Sequence, residues 1–371
     1  MTILLNLSNL SKGGGIQVGI SFLESLRIIG DQDRYIVVCS KYIYNLINKD
    51  KFSDNFVFIE INITGFNIKS QISGIRKLKS LEKKYDPNGV LTLFGPTLYR
   101  PKCKHIVGFA QGHLIDVDSP YWKIARNRIK FGFFVKKFIF KWIFNFTADY
   151  LHIESNLAKT QLINFLKISP DKIVVANNYP HSDFDKISTK NKIYLNSNKT
   201  FKIAVICAYY DHKNLEILNE VIKEIEKYKD KININFILTI EKEIFEKKFI
   251  KSKYIKNIGK VHGSDLLNLY DKIDAVLLPS LLEIFPGNYL EAMKTRNPIL
   301  TSDLKFATNI CGDAALYFDP LNKDSILQSI IKLINNKELY NSLQNLGSEK
   351  LLEYNDSIKR VKIILDKLNH G

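Results

Sequence analysis

The strongest constraint on the fold is an alternation of short apolar runs with amphipathic stretches, which occurs twice along the 371 residues. In the first half, apolar runs such as residues 3–7 and 35–39 are each followed by a segment with helical periodicity. The same alternation begins again near residue 201. Strands that alternate with helices build right-handed crossovers and a parallel sheet. We therefore predict an α/β protein of two Rossmann-like, doubly wound domains.

The domain boundaries follow from a polar stretch with little periodicity in the middle of the chain. It predicts an N-terminal domain over 1–185, a linker over 186–197, a second domain over 198–350 and a C-terminal helix over 351–371. Because ligands of such domains bind beyond the carboxyl ends of the strands, we expect the chemistry to come from loops that follow strands.

Composition excludes several classes of protein. Apolar residues make up 45% and charged residues 25%, which is typical of globular chains. No apolar run is long enough for a transmembrane helix, and the N-terminus lacks the pattern of a signal peptide, so we expect a cytoplasmic protein. The four cysteines have no CxxC spacing, which favours reduced thiols over a zinc site or disulfides.

The formal net charge of +16 favours a polyanionic partner, either nucleic acid or an anionic membrane surface. Surface lysines that reflect codon usage are the alternative, since the chain is rich in Lys, Ile and Asn. The excess is larger in the first half, at +10 for residues 1–185 against +6 for the rest.

Residues 121–146 hold much of this charge, with seven basic residues, ten aromatic ones and no acid. On one continuous helix the basic side chains fall in a sector of roughly 60° and the aromatic ones on a separate face. The basic set is Lys123, Arg126, Lys130, Lys137 and Lys141, and the aromatic set is Tyr121, Phe131, Phe138, Trp142 and Phe146. The pattern predicts an interfacial helix on the inner membrane surface. Helices whose aromatics pack in the core, with a break at Gly132, are the alternative; no RNA-binding signature is present.

A glycine loop follows the first predicted strand and precedes a helix. Gly14 and Gly15 would let backbone N–H groups approach a ligand closely, although a plain tight turn explains the loop equally. Lys12 and Asn9 are weaker candidates beside it.

The most informative group of residues lies in 279–293, between a predicted strand and a helix that begins near Gly287 or Asn288. Glu283 and Glu291 are eight residues apart, and helix capping is the alternative role for each. The positive end of this helix favours an anion, bound by the backbone of Phe285, Pro286, Gly287 and Asn288. Carboxylates beside an anion site suit recognition of the vicinal hydroxyls of a sugar.

These two glutamates match an E-x7-E motif, and the sequence from 265 to 320 around them resembles the C-terminal signature of the retaining, GT-B-fold glycosyltransferases of the large bacterial family four. In the first half the resemblance includes the glycine loop, residues 94–112 and residues 148–156. It implies an acceptor-binding domain and a donor-binding domain that face a central cleft.

The resemblance also implies roles for single residues. Glu291 would hold the donor ribose, Glu283 the donor sugar, and Lys213 the donor diphosphate. Gln111 and His113 follow a strand on the acceptor or sugar side, where His113 would donate to a hydroxyl or transfer a proton; a surface-loop histidine is the alternative.

The chain departs from the family pattern at two places. It has IFPGN where the family has GFGLP, and residues 208–210 replace the usual arginine. The diphosphate charge would then rest on Lys213 and the helix amides, with His212 or Asn214 as further candidates.

The resemblance implies front-face attack with retention of configuration, in which the leaving diphosphate helps to deprotonate the acceptor. No DxD-like triplet stands in a suitable loop, which agrees with a metal-independent reaction that needs no cofactor beyond a UDP- or GDP-linked donor sugar. The expected acceptor is a growing, lipid-linked surface glycan such as O-antigen or capsule, and the expected location is peripheral to the inner membrane face. The alternatives are a GT-B epimerase, a silent nucleotide-sugar-binding subunit and a nucleic-acid-binding protein.

Overall fold

The computed structural model describes residues 1–11, 13–30, 32–63, 67–181, 183–184, 200–227, 233–261 and 263–370. The chain divides into two units. Unit 1 comprises residues 1–118, 124–178 and 355–371, and unit 2 comprises residues 119–123 and 179–354. The predicted linker, 186–197, lies outside the described residues.

Unit 1 is built on a seven-stranded parallel sheet in the order β3-β2-β1-β4-β5-β6-β7. Its strands are β1 (Thr2–Leu7), β2 (Arg34–Cys39), β3 (Phe56–Glu60), β4 (Gly89–Thr92), β5 (Lys104–Gly108), β6 (Tyr150–Ile153) and β7 (Ile173–Val175). The apolar runs are continuous because both faces are covered. Alternate residues of β1 join different cores: Leu5 packs with α1 side chains such as Phe22, and Leu4 packs with Leu78 on the other face.

The helices of unit 1 are α1 (Gly14–Ile29), α2 (Lys41–Leu46), α3 (Ile68–Tyr85), α4 (Gly112–Ile115), α6 (Asn127–Thr147), α7 (Asn156–Leu166) and α15 (Ser357–His370). Several begin at a side chain that caps the first turn. The Asn67 carboxamide accepts from Ser70 N at the start of α3, and the Ser155 hydroxyl accepts from Ala158 N at the start of α7. The last helix, α15, buries Val361, Ile364 and Leu368 in the core beneath α1.

Unit 2 has a six-stranded parallel sheet in the order β10-β9-β8-β11-β12-β13. The strands are β8 (Phe201–Val205), β9 (Ile234–Leu238), β10 (Ile255–Asn257), β11 (Ala275–Leu278), β12 (Ile299–Ser302) and β13 (Ala315–Phe318). The helices are α8 (Ile217–Lys227), α9 (Lys242–Lys248), α10 (Ser264–Lys272), α11 (Gly287–Lys294), α12 (Lys305–Cys311), α13 (Lys323–Asn335) and α14 (Lys337–Leu351). Two doubly wound parallel-sheet domains were predicted, and this fold class is confirmed.

The basic aromatic segment differs from the single helix predicted over 121–146. A short helix, α5 (Tyr121–Ile124), ends before Ala125, and α6 begins at Asn127, so the two do not share one continuous face. Tyr121 is buried and groups with unit 2, which removes it from the predicted aromatic face. Gly132 does not interrupt α6.

The aromatic side chains of α6 occupy two faces. Phe140 and Phe144 are buried against unit 1, whereas Phe131, Phe138 and Trp142 are each about 60% or more exposed on the opposite face. The alternative in which the aromatics of this segment simply fill the core therefore describes only part of them. Within the described ranges, no helix has the length and apolar character needed to cross a membrane.

Candidate active site

The candidate donor site of unit 2 is formed by loops that follow β8 and β11, which are neighbours in the sheet. Residues Asp211–Lys213 form a single 3-10 turn after β8, and residues 279–286 connect β11 to α11. The carboxyl ends of neighbouring parallel strands lie side by side, which brings these loops together. Leu281 N donates to His212 O at 2.8 Å, and the buried Ser119 hydroxyl donates to Leu281 O at 2.6 Å.

Lys213 and Glu283 form an ion pair between the two loops. Lys213 Nζ lies 2.5 Å from Glu283 Oε1, and only 13% and 11% of the two side chains are exposed. Burial alone would raise the pKa of Glu283, but the Lys213 ammonium brings that pKa below its ordinary value. Burial likewise opposes the charged form of Lys213, and Glu283 overcomes it and raises the pKa of Lys213. Both groups are therefore charged near neutral pH.

Glu291 lies in the second turn of α11, one turn beyond the glycine that opens the helix. Tyr270 Oη, from α10, donates to Glu291 Oε2 at 2.7 Å. The other carboxylate oxygen points back toward the helix start, since it would lie 3.9 Å from a Cβ placed on Gly287. Burial raises the pKa of Glu291, and the Tyr270 hydroxyl offsets only part of that effect. The α11 N-terminus itself has no side-chain cap, so its positive end is not neutralised by a side chain of the cap residue, Pro286.

His212 lies in contact with two aromatic rings. The Tyr210 ring stacks on it at 5.5 Å between centroids, and the Tyr121 ring meets it edge-on at 6.4 Å. Burial lowers the pKa of His212 to about 4, and the nearby Lys213 ammonium acts in the same direction against the raising effect of Glu283. His212 is therefore neutral at physiological pH and adds hydrogen-bonding capacity, but no positive charge, to the site.

Three predicted donor-site side chains have partners within unit 2. The Asn214 amide donates to Pro320 O at 2.8 Å, and Asn214 has a left-handed backbone with φ of 55°. The Asn288 amide donates to Ile206 O, and the Phe285 ring is buried against Tyr354. These contacts orient the loops, and direct donor contacts by these residues stay predictions.

The remaining candidates lie in unit 1. Gly14 and Gly15 open α1, and Gly13 before them has φ of 63°, which is the position that requires glycine. Gln111 directly precedes α4, and the His113 ring lies flat on Phe133 of α6, 4.6 Å between centroids. Lys12 lies outside the described residues, while the Asn9 amide donates to Phe94 O at 2.6 Å.

Sequence reasoning missed the two tyrosines of the site. Tyr270 contacts Glu291 across 21 residues, and Tyr121 contacts His212 within unit 2 from a distant part of the sequence; neither was a candidate for the site. The only available signal for Tyr270 was its place on a helix inside the family-like stretch. In the described residues no three His, Cys, Asp or Glu side chains gather as a metal site, and metal independence stays a prediction.

Comparisons with known proteins identify the family of this part of the chain. The sequence model of the family described as "Glycosyl transferases group 1" matches residues 185–350, which include both loops of the candidate donor site. Residues 185–350 belong to the group 1 glycosyltransferases, and the chain has the GT-B fold.

Two curated relatives are similar to this glycosyltransferase over much of its length. The O-antigen chain mannosyltransferase RfbU of Salmonella typhimurium is 26% identical over 349 residues, covering 90% of each chain. The N,N'-diacetylbacillosaminyl-diphospho-undecaprenol alpha-1,3-N-acetylgalactosaminyltransferase of Campylobacter jejuni is 24% identical over 242 residues, covering 61% of each. Among solved structures, Anabaena Alr3699/HepE in complex with UDP-glucose matches with a TM-score of 0.73 at 12% identity over the full length of both chains.

Proposed function

We propose that this glycosyltransferase moves a sugar, with retention of configuration, from a UDP- or GDP-linked donor to a growing, lipid-linked surface glycan. The observation that carries the proposal is the arrangement of Lys213, Glu283 and Glu291 on strand-end loops and the first turns of α11. The Lys213 ammonium and the uncapped start of α11 would bind the diphosphate of a nucleoside diphosphate sugar. The two carboxylates would accept hydrogen bonds from its sugar and ribose hydroxyls.

In the proposed reaction the acceptor hydroxyl attacks the anomeric carbon from the side on which the diphosphate leaves. The bond from that carbon to the diphosphate oxygen breaks with its electron pair, the new glycosidic bond forms, and the hydroxyl proton passes to the departing oxygen. Lys213 and the α11 amides would stabilise the negative charge that grows on the diphosphate, so catalysis is positional and electrostatic and needs no cofactor or metal.

The relatives support the proposed class of acceptor. RfbU is named for the O-antigen chain, and the Campylobacter enzyme is named for a diphospho-undecaprenol substrate. A lipid-linked acceptor would bring the enzyme to the cytoplasmic face of the inner membrane.

The outer face of α6 supports that location. Five aromatic side chains along this face are more than half exposed: Phe131, Phe134, Phe138, Trp142 and Phe146. Single exposed apolar residues are ordinary on a protein surface, but a continuous row of them marks an interaction site. Four lysines and one arginine of the same helix lie beside the row, and the helix contains no acid. We propose that this face, Phe131–Phe146, lies on anionic lipid in the membrane interface.

A transfer assay tests the proposed reaction. Purified protein is incubated with UDP- and GDP-sugars, with and without undecaprenyl-diphosphate-linked glycan, and the product linkage is determined by NMR. We expect nucleoside diphosphate release that requires acceptor and a product with the anomeric configuration of the donor. Conversion of donor sugar without acceptor would indicate an epimerase, and donor binding without turnover a silent subunit.

A further inference from the structure

The ion pair between Lys213 and Glu283 raises a question about how the diphosphate is held and released. Both residues come from loops at the candidate donor site, and they neutralise each other at 2.5 Å with little exposure to water. A donor diphosphate that binds the Lys213 ammonium must therefore share it with the Glu283 carboxylate. Both the carboxylate and the phosphates are negatively charged, so they repel each other.

We propose that Glu283 competes with the donor diphosphate for Lys213, so that it keeps the lysine in place before the donor binds and takes it back as the product nucleoside diphosphate leaves. The inference rests on the proposed function and makes Glu283 a determinant of product release.

Two hydrogen bonds at Leu281 fix the loop that carries Glu283 when an anion arrives. This loop is tied to the lysine's own turn by the hydrogen bond from Leu281 N to His212 O. The Ser119 hydroxyl holds the same loop residue from the other side through Leu281 O. His212, next to the pair, adds no second positive charge because its ring is neutral at physiological pH.

Electrostatics then makes the competition strong. Two like charges within about 4–6 Å of each other disfavour the charged state of both, and the effect grows where water is excluded. The Lys213 ammonium can donate three hydrogen bonds. In the donor complex it would therefore contact both the diphosphate and Glu283, with a longer distance to Glu283 than in the free enzyme. The nucleoside diphosphate first keeps the acceptor proton on its departing oxygen; once that proton passes to water, it has one more negative charge than the donor had, which increases repulsion by Glu283 and favours release.

Calorimetric titration with UDP and GDP tests the inference, since neither ligand has the sugar that Glu283 is expected to contact. The proteins are wild type, Glu283→Gln, Lys213→Met and the double variant. We expect the Glu283→Gln protein to bind the preferred diphosphate about tenfold more tightly than wild type, and we expect this gain to disappear in the Lys213→Met background. Glu220→Gln, which removes an exposed carboxylate of α8, is the matched control and should bind as wild type does.

Unchanged or weaker binding by a folded Glu283→Gln protein would overturn the inference, as would an equal gain without Lys213. Glu283→Ala, which also removes the charge, provides a second variant if Glu283→Gln does not fold, as judged by circular dichroism. Absence of binding by wild type to every nucleoside diphosphate would instead contradict the proposed function, so the two failures are distinguishable.

Discussion

Single residues of the candidate donor site depend on neighbouring side chains that set their charge state and orientation. Glu291 is buried, and the hydroxyl of Tyr270 fixes one of its oxygens while the other points toward the start of α11. Burial raises the pKa of Tyr270 well above its ordinary value, and the Glu291 charge adds to that rise, so the phenol stays protonated. The tyrosine is therefore a permanent donor to Glu291.

Replacing Tyr270 by Phe should weaken donor nucleotide binding about fivefold, because removal of one hydrogen bond to a charged group costs about 1 kcal/mol or more. Calorimetry with the nucleotide that wild type binds measures the effect. Tyr340→Phe is the matched control, since it removes another buried tyrosine hydroxyl of unit 2, bonded to Asp274 O. Equal weakening by both variants would indicate a general loss of stability rather than a role in positioning Glu291.

At the scale of elements, α6 separates a buried face from an apolar exposed face. The pairs Phe134–Phe138 and Trp142–Phe146 are in ring contact along the exposed side, at 5.1 and 5.2 Å between centroids. Such a row offers a large apolar area for burial in a membrane interface. The adjacent basic side chains would add electrostatic attraction to anionic headgroups.

We expect the protein to co-sediment with vesicles of phosphatidylglycerol and phosphatidylcholine in equal parts, and not with phosphatidylcholine alone. The double variant Phe138→Ser, Trp142→Ser should lose at least tenfold in vesicle affinity, because the apolar area placed in the interface falls. Tyr42→Ser, which alters an equally exposed aromatic on α2, should bind as wild type does. Undiminished binding by the double variant would show that α6 does not contact lipid.

Two neighbouring strands, β5 and β6, place neutral histidines in the core of unit 1. His105 is fully buried, with Nε2 2.9 Å from Thr92 Oγ1 and Nδ1 2.7 Å from Thr147 O. Burial lowers the pKa of His105 to about 4 and that of His152 to about 3. The unfolded chain, with an ordinary pKa near 6.5, therefore binds these protons at a higher pH than the folded chain does.

The free energy of unfolding should consequently fall as the pH falls from 6.5 to 4. The contribution of His105 alone is roughly 3 kcal/mol. Urea denaturation across this range measures the loss, and His105→Gln should show a shallower dependence because its amide does not titrate. A wild-type stability that does not change over these pH values would contradict the neutral, buried state of the histidines.

The sequence predicted the strands and most helices well, and the long-range partners of single residues poorly. Apolar runs predicted strands such as β2, because strands of a parallel sheet that are buried on both faces are continuously apolar. The pairing of Lys213 with Glu283 spans 70 residues, and only the order of β8 and β11 in the sheet brings it about. Similarly, periodicity suggested one helix over 121–146, whereas an extended Arg126 and the burial of Tyr121 in unit 2 divide it.

At the scale of the whole molecule, the last helix follows unit 2 in the chain but completes unit 1. Ile364 and Val361 of α15 are fully buried in the same core as Phe22 of α1. Ile364→Ala should therefore destabilise unit 1 by about 2–5 kcal/mol. Hydrogen exchange should show faster opening of β1, β2 and β4 with little change in β8–β13. Leu352→Ala, at an 84% exposed position, is the control, and uniform destabilisation of both units by Ile364→Ala would contradict this assignment.

The central claim is that one nucleoside diphosphate site is built on the two glutamates of unit 2. A thermal-shift titration of wild type and Glu291→Ala with UDP, GDP, ADP, CMP and dTDP tests it most directly, because a ligand that binds only the folded state raises its stability. We predict saturable stabilisation of wild type by one diphosphate, by about 2.7 kcal/mol at a hundredfold excess over Kd, and its loss in Glu291→Ala. Stabilisation by none of these nucleotides, or equal stabilisation of both proteins, would contradict the account.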